Sequence, residues 1–147
     1  MINHVTPEQV EAFLRLTDGD FPVPLSKKTD LHELACKLVK RGTICAISQD
    51  GEILAMAAGY THNLQHHRAY LSVLAVHPDK RGEGLGTQVL TRFIGNCSAC
   101  GADAIHLYTT KDNAKAISLY TRFGFVPFAD PEETRPDDVH LILYFSK

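Results

Sequence analysis

Val73-Leu-Ala-Val76-His-Pro-Asp-Lys-Arg81-Gly-Glu-Gly-Leu-Gly86-Thr87 is the stretch that decides how this chain folds. Its first four residues are apolar and β-prone, His77-Pro78 stops them, and the glycines at 82, 84 and 86 form a turn that keeps side chains out of the way. Beyond the turn, Leu85, Val89, Leu90, Phe93, Ile94 and Cys97 recur at helical spacing and predict an amphipathic helix of about four turns. A strand that passes through a glycine turn into a helix leaves several backbone amides unpaired beside the positive helix end, which makes an anion site. Such a cradle suits a pyrophosphate.

Spacing separates the nucleotide motifs that share this context. A dinucleotide fingerprint needs Gly-x-Gly-x-x-Gly, but Gly82-x-Gly84-x-Gly86 is followed by Thr87-Gln88-Val89. A Walker loop ends in Gly-Lys-Ser/Thr, which is missing here. What remains is Arg-x-x-Gly-x-Gly at Arg81, Gly84 and Gly86, and this resembles the acetyl-CoA-binding motif of the GCN5-related N-acetyltransferase (GNAT) family. A second segment, Asn113-Ala-Lys-Ala116-Ile-Ser-Leu119-Tyr120-Thr-Arg-Phe123-Gly124-Phe125, resembles the same family's later motif, in the family's order and at a family-like separation. Read from the residues alone, Ala116, Leu119, Tyr120 and Phe123 form a helical apolar stripe, with Gly124 just past its end.

The resemblance implies an α/β fold: a mixed, splayed central β-sheet with helices on both faces, as a single domain over 1–147. It implies acetyl-CoA as cosubstrate, gripped by Leu74, Ala75 and Val76 of the splayed strand, by Arg81, Gly82, Gly84, Leu85, Gly86 and Thr87 of the turn, and by Asn113, Ala116 and Tyr120 of the later helix. Tyr120 falls where the family keeps a proton donor to the departing thiolate, and a neutral phenol with a pKa of about 10 suits that task. Backbone amides near Val76 are expected to stabilise the developing oxyanion. For Arg81 and Asn113 the residues also permit plainer readings, a solvated arginine and a helix start after Asp112.

Transfer to an amine also needs a base, and the source of that base stays open. Tyr70-Leu-Ser-Val-Leu-Ala-Val76 contains no carboxylate, which leaves ordered water, His106, and the loop histidines His62, His66 and His67. The acceptor is expected to be a primary amine of a small molecule, such as an amino sugar, amino acid, polyamine or antibiotic. Asp130-Pro-Glu-Glu-Thr-Arg-Pro-Asp-Asp138 holds five acids against one arginine, which would welcome a cationic amine or serve as a solvated connection. Phe21-Pro-Val-Pro-Leu-Ser26 is similar to a segment of small acetyltransferases linked to surface-polysaccharide synthesis, which implies an amino sugar. The alternatives are a protein N-acetyltransferase and a CoA-binding regulatory module without chemistry.

Composition narrows the class. The chain has 147 residues, 44% of them apolar, enough for one core, and its formal charge of −2 gives no general attraction to nucleic acid. No apolar run is long enough to span a bilayer and the first residues lack a leader layout, so a cytoplasmic protein without a membrane partner is expected, as monomer or homodimer. Cysteines 36, 45, 97 and 100 do not form a disulfide framework. Cys97-Ser-Ala-Cys100 has no second pair, so no metal is expected; Cys97 continues the buried stripe of its helix and Cys100 falls in the capping turn.

Periodicity and turn chemistry place the remaining elements. Thr6-Pro-Glu-Gln9 predicts a capped helix start with Val10, Phe13, Leu14 and Leu16 on its apolar side, ended by Asp18-Gly-Asp20. Phe21 to Ser26 reads as a rigid extended connector, and Asp30-Leu-His-Glu33 starts a second helix that Gly42 stops. Strands are predicted over 43–49 and 52–61 around the hairpin dipeptide Asp50-Gly51, then over 68–76, 104–109, 125–128 and 139–145, with 68–76 parallel to 104–109. The family often begins with a full strand; here only Met1 to Val5 precede the first helix, so that strand is expected to be short or missing.

Overall fold

The computed structural model describes residues 4–21, 23–61, 67–129, 135 and 137–145. Helix α1, Pro7–Thr17, opens on a reciprocal capping box in which the Thr6 hydroxyl accepts from the Gln9 amide and the Gln9 side chain accepts from the Thr6 amide. Helix α2, Leu31–Arg41, is capped by the Asp30 carboxylate, which accepts from the Glu33 amide. The connector between them differs from the extended run predicted. Leu25–Lys27 is a 3-10 turn, because the Asp18 carboxylate draws in both the amide and the hydroxyl of Ser26. His4, Val5 and Thr6 form no strand, and residues 1–3 lie outside the described set.

Strands β1 (Thr43–Gln49) and β2 (Glu52–Tyr60) form the expected hairpin, with Asp50 and Gly51 both at positive φ (52° and 80°) as a type I′ turn requires. β3 (Arg68–Val76) pairs antiparallel with β2. Helix α3 (Leu85–Ala99) then crosses over to β4 (Ala104–Thr110), parallel to β3. After α4 (Ala114–Arg122), the two-residue β5 (Val126–Pro127) and β6 (Asp138–Tyr144) complete a six-stranded sheet in the order β1-β2-β3-β4-β6-β5. On one face, Val89, Leu90, Phe93 and Cys97 of α3 bury against Ala57, Leu71, Ile105 and Leu107, and α4 joins the same core through Tyr120. On the other face, Val10 and Leu14 of α1 and Ala35 and Leu38 of α2 pack on Ile44, Met56 and Val73. Leu16, expected on the apolar side of α1, is exposed instead, because the buried stripe runs through Val10, Phe13, Leu14 and Thr17. Burial of a side chain such as Phe93, fully enclosed, is worth roughly 1.5–3 kcal/mol.

One irregularity shapes the middle of the sheet. Ala58 pairs with Val73 but Gly59 pairs with Leu71, so Ser72 is an extra residue, a β-bulge, in β3. The bulge switches the strand's facing: Leu71 lies in the α3/α4 core while Val73 lies in the α1/α2 core. It also needs close backbone approach, since a Cβ on Gly59 would collide with the Tyr70 carbonyl. Pairing between β3 and β4 runs only from Arg68/Ala104 to Tyr70/His106. Where the bulge bends β3, the two parallel strands part.

Candidate functional site

The parted strands leave an open edge on β3. The His77 amide donates to the Leu54 carbonyl (2.7 Å), so strand alternation directs the backbone of Ala75 toward β2 and that of Leu74 and Val76 into the gap beside β4. The apolar run ends at His77, whose imidazole accepts from the Asp79 amide and contacts the Glu52 carboxylate at 2.9 Å, which fixes the direction of the chain into the glycine turn. Gly84 is the N-cap of α3, at φ 80°, and offers no side chain to the first-turn amides. Nothing lies within 4 Å of where a Cβ on Gly84 would sit. The helix therefore presents bare amides and its positive end to an open hollow.

That hollow is a cavity of about 370 Å³. Leu74, Ala75 and Val76 form one wall, Arg81, Gly82, Gly84, Leu85 and Gly86 a second, and Asn113, Ala116 and Tyr120 a third. Of the residues the sequence singled out as cofactor-binding, only Thr87 stays out of the lining; it is exposed on α3, and its carbonyl accepts from Thr91. The cavity also gathers Lys80 and Lys115, which the motifs did not mark. The Arg81 guanidinium is not simply solvated, because it pairs with Asp20 in the segment after α1. Asn113 is a cap as well as a wall: its Oδ1 accepts from the Ala116 amide and its Nδ2 donates to Thr109 Oγ1.

A second cavity, about 390 Å³, opens on the far side of the gap. The two share Phe21, Leu74, Asn113, Ala116 and Tyr120, so these residues stand at their junction. Tyr120 is 7% exposed, its ring packs edge-on against Phe125 at 5.5 Å, and its hydroxyl has no hydrogen bond to any described residue. Burial pushes its pKa well above the ordinary phenol value. At neutral pH it remains a protonated donor with nothing to donate to among the described residues.

Neither described candidate histidine, His67 or His106, lines either cavity. His62 and His66 lie outside the described residues, and so does most of the acidic loop, 130–134 and 136. His106 lines neither cavity; its Nδ1 meets His140 Nε2 at 2.8 Å, and its ring lies against Tyr70 and Tyr108. Burial, and secondarily His140, Arg68 and Arg135, hold its pKa down at about 4, so it is neutral at pH 7. In α3, Cys97 is buried with its thiol pushed up to about 12, while Cys100 is exposed in the capping turn. A protonated, enclosed thiol is a poor nucleophile or ligand.

Sequence comparison agrees with this geometry. The acetyltransferase (GNAT) family model matches residues 10–125, and the chain belongs to that family. It is 42% identical over 65 residues to an acetyl transferase, GW6a, of Oryza sativa subsp. japonica, spanning 44% of this chain and 16% of that protein. It is 31% identical over 83 residues to a mycothiol acetyltransferase of Beutenbergia cavernae, spanning 56% of this chain and 28% of that one. The chain thus covers less than a third of the length of either relative. Its fold is similar to that of the ribosomal-protein-S18-alanine N-acetyltransferase from Escherichia coli, with a TM-score of 0.74 and 21% identity over 100% of this chain and 94% of that one. The mixed α/β, single-sheet architecture is that of GNAT acetyltransferases.

Proposed function

We propose that this protein is an acetyl-CoA-dependent N-acetyltransferase acting on an amine of a small molecule. The observation that carries the reading is the junction: an open β3 edge, a helix whose glycine N-cap offers no side chain, and a protonated tyrosine without a partner among the described residues meet between two cavities. The first cavity fits the cosubstrate. Backbone groups of Leu74 and Val76 would pair with the pantetheine amides, at little ordering cost because a rigid sheet presents them. The first-turn amides of α3, with Lys80 and Arg81 beside them, would take the diphosphate.

Acetyl-CoA supplies an activated acyl group, whose C–S bond is exchanged for a C–N bond to the acceptor. Tyr120 donates its phenolic proton to the departing sulfur, and the proton lost by the acceptor nitrogen leaves through water and restores the phenol. His106 is set behind Tyr70 and Tyr108, outside both cavities, so water is the base we assign. The second cavity, about 390 Å³, has the volume of a small-molecule site, which favours a small amine over a protein chain. The test is thiol release from acetyl-CoA across amino sugars, amino acids, polyamines, aminoglycosides and a peptide with a free N-terminal alanine, with the acetylated product identified by mass spectrometry. Turnover on a small amine above the peptide is expected. Preference for the peptide would overturn the small-molecule assignment, and saturable binding without turnover on any amine would favour a regulatory module.

A further inference from the structure

Resting on that reading, we propose that the acceptor is an amine that also carries an anionic group, a carboxylate or a phosphate, held at Lys28, Lys37 and Arg135. All three line the second cavity, and the only carboxylate of its described wall is Asp138. Three cations against one acid leave that wall net positive. The acidic loop from which a cationic amine was expected contributes only Arg135 and Asp138 to this described wall, and its residues 130–134 and 136 lie outside the described set.

All three cations are exposed, and two of them rest over aromatic faces. The Lys37 ammonium sits 5.2 Å from the Tyr60 ring centre, and the Arg135 guanidinium 3.9 Å from that of Tyr108. Asp138 lies 3.7 Å from Arg135 Nη1 and neutralises only part of the set. The remaining wall supplies neutral donors. Burial raises the pKa of Tyr60 and Tyr70, which keeps both phenols protonated, and Thr110 Oγ1 is buried with no hydrogen-bond partner among the described residues. Cations with neutral hydroxyls around them recognise a carboxylate or phosphate in preference to an ammonium.

The experiment compares matched acceptors in the thiol-release assay, with kcat/KM expressed per concentration of free amine: an amino acid against its methyl ester, and a hexosamine against its 6-phosphate. In at least one pair the charged member is expected to have about tenfold higher kcat/KM, and which pair shows it tells carboxylate from phosphate. Lys37→Gln should bring that ratio below about threefold and Lys37→Arg should keep it, with acetyl-CoA binding measured in both variants by calorimetry to verify the fold. Preference for the neutral member of every pair, or for a polyamine, overturns the anion subsite while leaving acetyl transfer intact. Charged preference that survives Lys37→Gln overturns its location. No thiol release on any amine removes the acetyltransferase reading on which the subsite rests.

Discussion

Replacing Tyr120 with Phe isolates the proton that the proposed chemistry requires. The ring stays, with its edge-on contact to Phe125 at 5.5 Å, and the hydroxyl lost has no hydrogen bond to any described residue. No described partner is orphaned, so the folded state should change by less than about 0.5 kcal/mol in a urea titration. The rate should change far more. Donation to a leaving group by a positioned acid is worth on the order of 10²–10⁴, which is about 3–5 kcal/mol of barrier. Because burial raises the Tyr120 pKa, the wild-type turnover should lack an alkaline limb until well above pH 10. Steady-state thiol release reads kcat and the KM for acetyl-CoA separately. Turnover by the variant is expected to fall by about a hundredfold or more while KM for acetyl-CoA changes little. A variant that turns over within about twofold of wild type would refute the role given to Tyr120, and equal loss of binding would show that the hydroxyl grips the cosubstrate instead.

Three further outcomes depend on particular contacts. Deleting Ser72 removes the bulge that parts β3 from β4; a variant that still melts cooperatively should bind CoA weaker by about tenfold or more in calorimetry, and unchanged affinity would detach the bulge from the site. Asp20→Asn frees the Arg81 guanidinium and should tighten CoA binding by about threefold, of the order that a half-exposed ion pair is worth; weaker binding would show that Asp20 positions Arg81 rather than competes for it. His106 has its folded pKa lowered from 6.5 to about 4, so the unfolded chain takes up a proton that the folded one refuses. Its contribution is fully present above pH 6.5 and is lost as pH falls toward 4, so the urea midpoint of wild type should drop across that window more steeply than that of His106→Gln, and parallel profiles would contradict it.

Much of the fold is legible because it rests on local chemistry. Asp50-Gly51, Thr6 with Gln9, Asp30 and Gly84 each act within a few residues, and the elements they bound appear where the spacing puts them. The Ser72 bulge was hidden because it is a property of pairing: Leu71, Val73 and Leu74 are apolar on both sides of it, so no alternation shows the change of face. The connector misled for a similar reason. Its prolines suggest extension, while the turn depends on Asp18 reaching eight residues forward to Ser26. Most of the first cavity's lining was readable from two motifs, since it comes from contiguous stretches. The second cavity was not, because Lys28, Lys37, Tyr60, Tyr108 and Arg135 come from five separate segments and each alone reads as an ordinary surface or sheet residue.

The most direct test of the account is a calorimetric titration of the wild-type chain and of Gly84→Val with acetyl-CoA. Gly84 sits at φ 80°, where a β-branched residue is strained by about 1–2 kcal/mol, and the added side chain would project into the hollow over the bare amides of α3. The account predicts saturable one-to-one binding by wild type and its loss in a folded Gly84→Val variant. No binding by wild type, or equal binding by both, would contradict the cradle and with it the acetyl transfer built upon it.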